Sequence, residues 1–143
     1  MKTRFFFLVL LTSIGWSSVN AQIPTDGLVG YWPFNGNAND ESGNGLNGVI
    51  KGATLTTDRF GNTDRAYSFD GINDEIDVSD SPLFEENART VTCWIYADAY
   101  CPTWTIRSDI IGKGYLVAGQ WVIQLEQSGK IRNMVSTTTG EHT

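Results

Sequence analysis

Short apolar or alternating runs, each closed by Gly, Asn or Asp, recur along this chain and set the first limit on its fold. No long stretch shows the period of an amphipathic helix. Such runs are typical of β-strands joined by tight turns. We therefore predict an all-β fold, an antiparallel two-sheet β-sandwich or jelly roll. The predicted strands are residues 28–34, 48–55, 66–70, 75–78, 90–96, 109–112, 120–126 and 131–136.

Two of these predictions are specific enough to be checked directly. Residues 71–74, Gly-Ile-Asn-Asp, lie between two predicted strands and favour a hairpin turn. Residues 90–96, TVTCWIY, are apolar on both alternating faces. A strand of that kind is expected to be covered on both sides or to line an aromatic groove.

The N-terminal residues have the three parts of a secretory signal peptide. Lys2 and Arg4 precede the apolar run 5–11, and small residues lead to Ala21. The apolar run is shorter than the roughly 20 residues that span a bilayer, so we predict no transmembrane segment. We expect cleavage between Ala21 and Gln22, and a mature protein that is secreted or held at the cell surface.

The charge balance is acidic, with 16 Asp+Glu against 10 Lys+Arg and a formal net charge of -6. Without Lys2 and Arg4 the balance is 8 against 16, or about -8. Nucleic-acid binders depend on Lys and Arg to neutralise phosphates, and anionic membranes attract basic segments. The composition therefore argues against both kinds of partner. A hydrophobic content of 41% also argues against a disordered chain.

The two cysteines, Cys93 and Cys101, are separated by residues 94–100. In an exported protein they can form a local disulfide, with residues 98–100 reversing the chain. The chain-entropy model gives about 2.5 kcal/mol for so short a loop. Two alternatives stay open: a buried free thiol at Cys93, and a bridge between two chains.

Three motifs resemble a known family. They are GLVGYWPF at 27–34, the loop Asp40-x-Ser42-Gly43-Asn44-Gly45, and Phe69-Asp70-Gly71 followed by Asp74 and the strand at Ile76. Together they resemble the laminin-G-like (concanavalin A-like lectin/glucanase) jelly-roll domains of secreted bacterial proteins. The resemblance implies a two-sheet jelly roll that serves glycan binding or adhesion in a larger protein. It also implies calcium binding, which some members of the family show.

The resemblance covers residues 22–143 and corresponds to the N-terminal part of such a domain. The return strands of the family pattern do not occur before Thr143. We therefore expect the remaining strands, and further domains of the same polypeptide, beyond residue 143.

Oxygen-bearing side chains alternate in the Gly-rich loop 35–48, and a second group lies at residues 70–74. Calcium prefers about six to eight hard oxygen ligands. We predict calcium as a cofactor, with ligands from Asn35, Asn37, Asp40, Asp70 and Asp74. The alternative is that the Asn-Gly and Asp-Gly pairs only supply the left-handed conformations that turns require.

Glu75 and Asp77 offer a catalytic alternative. Side chains at i and i+2 of a strand share a face, and a pair of carboxylates is what glycoside hydrolysis requires. The string also resembles the Glu-Ile-Asp strand of laminarinase-type glucanases. The simpler interpretation places Ile76 and Val78 in the core and both carboxylates in water. Short motifs give frequent false matches, so we favour a non-catalytic module.

Glycan binding by stacking requires aromatic side chains that are not needed in the core. Tyr100 and Trp104 lie in a loop, where an aromatic side chain has less structural reason to occur. Arg107 and Asp109 are close in sequence and can bind hydroxyl groups. We predict these four residues as the ligand site for a glycan or a surface protein. A further alternative is a structural spacer of a surface protein, with no ligand of its own.

Overall fold

A computed structural model describes residues 23–85, 88–99, 108–114 and 120–135. These residues form seven strands and one short 3₁₀ turn, Pro82–Phe84. The strands are β1 (Gly48–Lys51), β2 (Thr54–Thr56), β3 (Ala66–Ser68), β4 (Glu75–Val78), β5 (Ser108–Lys113), β6 (Trp121–Leu125) and β7 (Ile131–Val135). All pairs of strands are antiparallel. The predicted all-β class is confirmed.

The first four strands form one interrupted two-stranded ribbon. β1 pairs with β4, from Gly48 opposite Val78 to Lys51 opposite Glu75. β2 pairs with β3, from Thr54 opposite Ser68 to Thr56 opposite Ala66. Between these ladders, two residues (52–53) on one arm face six residues (69–74) on the other. The chain reverses at residues 57–65. Residues 69–74 loop out of the ribbon and are called the bulge below.

The predicted hairpin at 71–74 is therefore wrong. β3 and β4 follow one another along the same arm of the ribbon and do not pair with each other. Gly71 does turn the chain, with φ of 77°, but the turn produces a bulge. Local turn chemistry cannot distinguish these outcomes, because pairing with 48–56 decides between them.

Two other predicted strands do not form. Residues 28–34 and 90–96 have no ladder partner among the described residues. The side chains of Trp94 and Tyr96 are 83% and 89% exposed, so the expectation that 90–96 is covered on both sides is wrong. A strand needs a neighbour for its N–H and C=O groups, and an apolar pattern alone does not provide one.

Strands β5, β6 and β7 form a three-stranded meander. The turn between β6 and β7 is the one predicted at Ser128-Gly129. The Glu126 N–H donates to the Lys130 carbonyl at 2.8 Å, and the Gly129 N–H donates to the Glu126 carbonyl at 2.9 Å. Gly129 has φ of 77°, a conformation that glycine adopts without steric cost.

Packing within the described residues is modest. Their buried residues are two alanines, Ala38 and Ala53, and two glutamines, Gln120 and Gln124. The contacts between strands lie chiefly within the sheets rather than between them. The structure thus establishes small antiparallel sheets. Within the described part of the chain, no helix has the length and apolar character of a membrane span.

Candidate functional site

An open polar cleft lies between residues 33–35 and the loop 57–65 that closes the ribbon. Its volume is about 670 Å³. It is lined by Pro33, Asn35, Asp58, Gly61, Asn62, Thr63 and Arg65. Ligand sites are usually concave, with a few polar groups placed among apolar ones; this cleft is concave, but its lining is mostly polar. Sequence reasoning did not single out this cleft.

Asp58 organises the loop that forms one wall of the cleft. Its Oδ1 accepts the backbone N–H groups of Phe60 at 2.8 Å and of Asn62 at 2.9 Å, and its Oδ2 accepts Asn62 Nδ2 at 3.0 Å. The Gly61 N–H donates to the Asp58 carbonyl at 3.1 Å. The hydrogen bond from the Asn62 side chain, followed by those from backbone amides, lowers the pKa of Asp58. The loop is therefore held in one shape by a charged acceptor.

The opposite wall is fixed to this loop by backbone and side-chain contacts. The Gly36 N–H donates to the Asp64 carbonyl at 2.9 Å. The Arg65 guanidinium donates to Asn35 Oδ1. Phe34 packs edge-on against the ring of Tyr67, with centroids 5.1 Å apart. Because both walls are tied together, the cleft is preformed rather than assembled by its ligand.

Arg65 is the cation of the cleft. Its hydrogen-bond partner there is a neutral amide oxygen of Asn35. In the described residues, the ion pairs within 4.0 Å are made by Lys51 and Lys113. A guanidinium stays protonated and has about five N–H donors. Most of those of Arg65 are therefore available to a ligand in the cleft.

Exposed aromatic rings lie beside the cleft. The ring of Phe60, in the cleft loop, is 73% exposed. The guanidinium of Arg59 lies 4.4 Å from the Phe60 ring centroid and 3.7 Å from that of Trp94. These distances are those of cation–π contacts, so Arg59 holds the two exposed rings together, although neither ring is among the residues that line the cleft. Sequence reasoning placed Trp94 on a strand face and did not single out Phe60.

Of the four predicted ligand residues, the structure describes one, Asp109. Tyr100, Trp104 and Arg107 lie outside the described residues. Asp109 lies on β5, where its carboxylate accepts the side-chain amide of Gln124. The glycan site predicted at these four residues stays a prediction.

Among the predicted calcium ligands, Asp40 is bound most completely by the protein itself. Its Oδ1 accepts the N–H groups of Tyr31 at 3.0 Å and of Ser42 at 2.9 Å. Its Oδ2 accepts Ser42 Oγ at 2.8 Å and the Leu46 N–H at 3.0 Å. Partial burial acts to raise the pKa of Asp40, but these hydrogen bonds outweigh it and lower the pKa to about 2. A cation at Asp40 has to compete with four donors.

The other predicted calcium ligands fall in two further places. Asn35 lines the cleft, and Asn37 Oδ1 accepts the Asn39 N–H at 2.8 Å. Asp70 and Asp74 organise the bulge, where Asp74 Oδ2 accepts the Asp70 N–H at 2.9 Å. The described residues contain no group of three or more His, Cys, Asp or Glu side chains that can hold a metal ion. Calcium binding stays a prediction.

Glu75 and Asp77 do share a face of β4, and one lysine binds both. Lys51 Nζ lies 2.7 Å from Glu75 Oε1 and 3.2 Å from Asp77 Oδ2. Both carboxylates are exposed, whereas Ile76 and Val78 are half-buried. The two acids do not line the cleft. An ammonium thus occupies the position between the two carboxylates that a glycosidic oxygen needs.

Cys93 is exposed and forms no disulfide within the described residues. Cys101 lies outside the described residues, so the predicted disulfide between the two stays a prediction. A buried thiol at Cys93 is excluded by its exposure.

Comparisons with known proteins give no relative. No protein-family model, no curated protein and no solved structure matches this chain.

Proposed function

We propose that this protein is a secreted, non-catalytic module that binds carbohydrate in the cleft lined by Asn35, Asp58, Asn62 and Arg65. The observation that carries the proposal is the preformed polar cleft, together with the exposed Phe60 ring on the loop that forms one of its walls. Sugar hydroxyls both donate and accept hydrogen bonds, and the amides and guanidinium of the cleft offer both kinds of partner. An apolar sugar face can stack on an exposed ring.

We extend the proposal to the fold family, to export and to adhesion. The motifs at residues 27–34, 40–45 and 69–76 support a laminin-G-like jelly roll, and the antiparallel strands agree with that fold class. The signal-like segment before Gln22 supports export. Adhesion to a glycan-bearing surface follows from these two properties.

The hydrolase alternative has less support. Glu75 and Asp77 lie on an exposed ribbon, outside the cleft, and share Lys51. General acid catalysis needs a carboxyl group placed against the leaving oxygen in a site that excludes water. The ribbon face provides no such enclosure.

The test is a glycan screen with the full chain, followed by titration of the best ligand. Arg65→Ala removes the cleft cation, and we expect the affinity to fall about tenfold, the loss that follows from a charged hydrogen bond. Phe60→Ala is expected to weaken binding by a smaller factor. Arg132→Ala, on the exposed face of β7, is the matched control and should bind as the parent does.

Two outcomes would reject the proposal. If no glycan binds, the module is a structural spacer. If β-glucan is turned over and Glu75→Gln abolishes that turnover, the protein is a hydrolase.

A further inference from the structure

Three Asn-Gly steps lie close together in the chain, at 35–36, 44–45 and 47–48. Asn-Gly is the step at which a backbone amide most readily attacks the preceding side chain, because glycine has no Cβ to crowd the ring that forms. The reaction requires that the glycine N–H be free of an acceptor. The three Asn-Gly steps differ in whether the glycine N–H has an acceptor.

Two of the glycine amides are engaged. The Gly36 N–H donates to the carbonyls of Phe34 and Asp64, both at 2.9 Å. The Gly48 N–H donates to the Ala38 carbonyl at 2.8 Å, and Gly48 also belongs to the β1–β4 ladder. Attack from either nitrogen requires that this backbone structure open first.

The third glycine is different. Gly45 is exposed, has φ of 73°, and makes no hydrogen bond through its N–H within the described residues. The side chain of Asn44 before it is also exposed, although its Nδ2 donates to Leu28 O at 3.0 Å, Val29 O at 2.9 Å and Ser42 Oγ at 3.2 Å. These bonds break by rotation of one side chain, whereas freeing Gly36 or Gly48 requires the backbone to move.

We infer that Asn44 is a site of spontaneous deamidation that releases the segment at Leu28 and Val29. Gly45 N attacks Asn44 Cγ, the Cγ–Nδ2 bond breaks, and Nδ2 leaves as ammonia. Water then opens the cyclic imide to aspartate or isoaspartate. No electron is transferred, and the net change is an amide plus water giving an acid plus ammonia.

Deamidation replaces the hydrogen-bond donor of Asn44 by an acceptor. Nδ2 is a donor that binds two backbone carbonyls, whereas a carboxylate can only accept. After deamidation, negatively charged oxygen faces the carbonyl oxygens of Leu28 and Val29, and the contact becomes repulsive. Segment 28–29 then loses the two hydrogen bonds from Asn44 and keeps the one from Ser42 Oγ to the Val29 carbonyl at 3.3 Å, while Asp40 still holds Tyr31.

The first experiment incubates the full chain in mildly alkaline buffer and maps aspartate and isoaspartate by peptide mass spectrometry. We expect conversion at Asn44 to be about fivefold faster than at Asn35 or Asn47, the ratio set by one protecting hydrogen bond. Equal rates at the three sites, or faster conversion at 35 or 47, would overturn the inference.

The second experiment measures the release of the segment by hydrogen exchange of the peptide that contains residues 28–31. Asn44→Asp is expected to exchange about fivefold faster than the parent chain. Asn39→Asp is the control, because it adds the same charge to the same loop and the Asn39 side chain donates to no carbonyl of the described residues, where only its backbone N–H is bonded, to Asn37 Oδ1. If the two variants exchange alike, deamidation does not release the segment and that part of the inference is lost.

Discussion

The loop region of residues 28–48 and the sheet of β5, β6 and β7 are held by different kinds of hydrogen bond. In the sheet, successive residues pair through their own backbone groups, apart from the irregularity at Ile110. In the loop region, side-chain oxygens serve as acceptors beside backbone carbonyls, and Asp40 alone accepts four donors. A single side chain therefore serves more backbone groups in the loop than in the sheet.

The difference teaches where single substitutions have large effects. A ladder loses about one hydrogen bond when one residue changes, and its neighbours remain paired. A side chain with several donors leaves all of them without a partner when it is removed. The effect of a substitution should therefore depend on how many backbone groups one side chain serves.

The largest effect is expected from Asp40→Ala. It leaves the N–H groups of Tyr31, Ser42 and Leu46 without their acceptor, and we expect the free energy of unfolding to fall by about 3 kcal/mol. Urea unfolding of the full chain measures this change. Glu41→Ala removes the same charge from the next residue and should change stability little. A similar loss in both variants would show that charge, rather than hydrogen bonding, is the cause.

The next largest effect is expected in the stability of the chain at low pH. The pKa of Asp40 is lowered from 3.8 to about 2 in the folded chain, so the unfolded state takes up this proton first as the pH falls. The contribution of Asp40 to stability is complete above pH 3.8 and is lost as the pH decreases toward 2. Unfolding midpoints measured through this window should decrease more steeply for the parent than for Asp40→Ala. Parallel curves would contradict the role of Asp40.

A smaller effect is expected in the sheet. Asp109→Ala removes the acceptor of the buried Gln124 amide, and we expect a loss of about 1 kcal/mol. Asp109→Ala combined with Gln124→Leu should regain most of that loss, because no polar group is then left unpaired. The double-mutant cycle is measured by urea unfolding. Additive losses would mean that the two side chains do not interact.

The smallest effect is expected on the ribbon. Lys51→Met removes the ion pairs with Glu75 and Asp77, all three of which are exposed. Exposed pairs contribute little to stability, and salt reduces even that contribution. We expect the difference between Lys51→Met and the parent to vanish in concentrated salt. A loss as large as that of Asp109→Ala would show that the ribbon pair is more than a surface contact.

Several strands were predictable because their patterns are local. β4, β6 and β7 lie where alternating apolar residues predicted them, and the turn at Ser128-Gly129 follows from turn chemistry. The pairing of β3 was not predictable in the same way. It depends on residues 54–56, and the wide bulge at 69–74 leaves the same local signal as a hairpin turn.

The cleft was not predictable from motifs. Its walls come from residues 33–35 and 58–65, which are separated along the sequence by two strands. Asp58 and Asn62 do carry a signal, since an Asx residue followed closely by Gly-Asn favours a side-chain-capped turn. Nothing in that signal shows that Asn35 and Arg65 meet across the turn. Sequence reasoning proposed Asp40 as a calcium ligand, which stays a prediction, and did not foresee that Asp40 accepts the backbone N–H groups of Tyr31, Ser42 and Leu46.

The bulge at residues 69–74 also has a consequence for the order in which the ribbon assembles. Thr56 and Ala66 are close in sequence and can pair early, whereas Gly48 and Val78 are far apart. Closure of short loops costs less conformational entropy and is faster. Pairing therefore starts beside the 57–65 loop and proceeds outward until the extra residues of the bulge interrupt it. We therefore expect the inner ladder to form before the outer one, with the cleft loop in place before the chain between Gly48 and Val78 has closed.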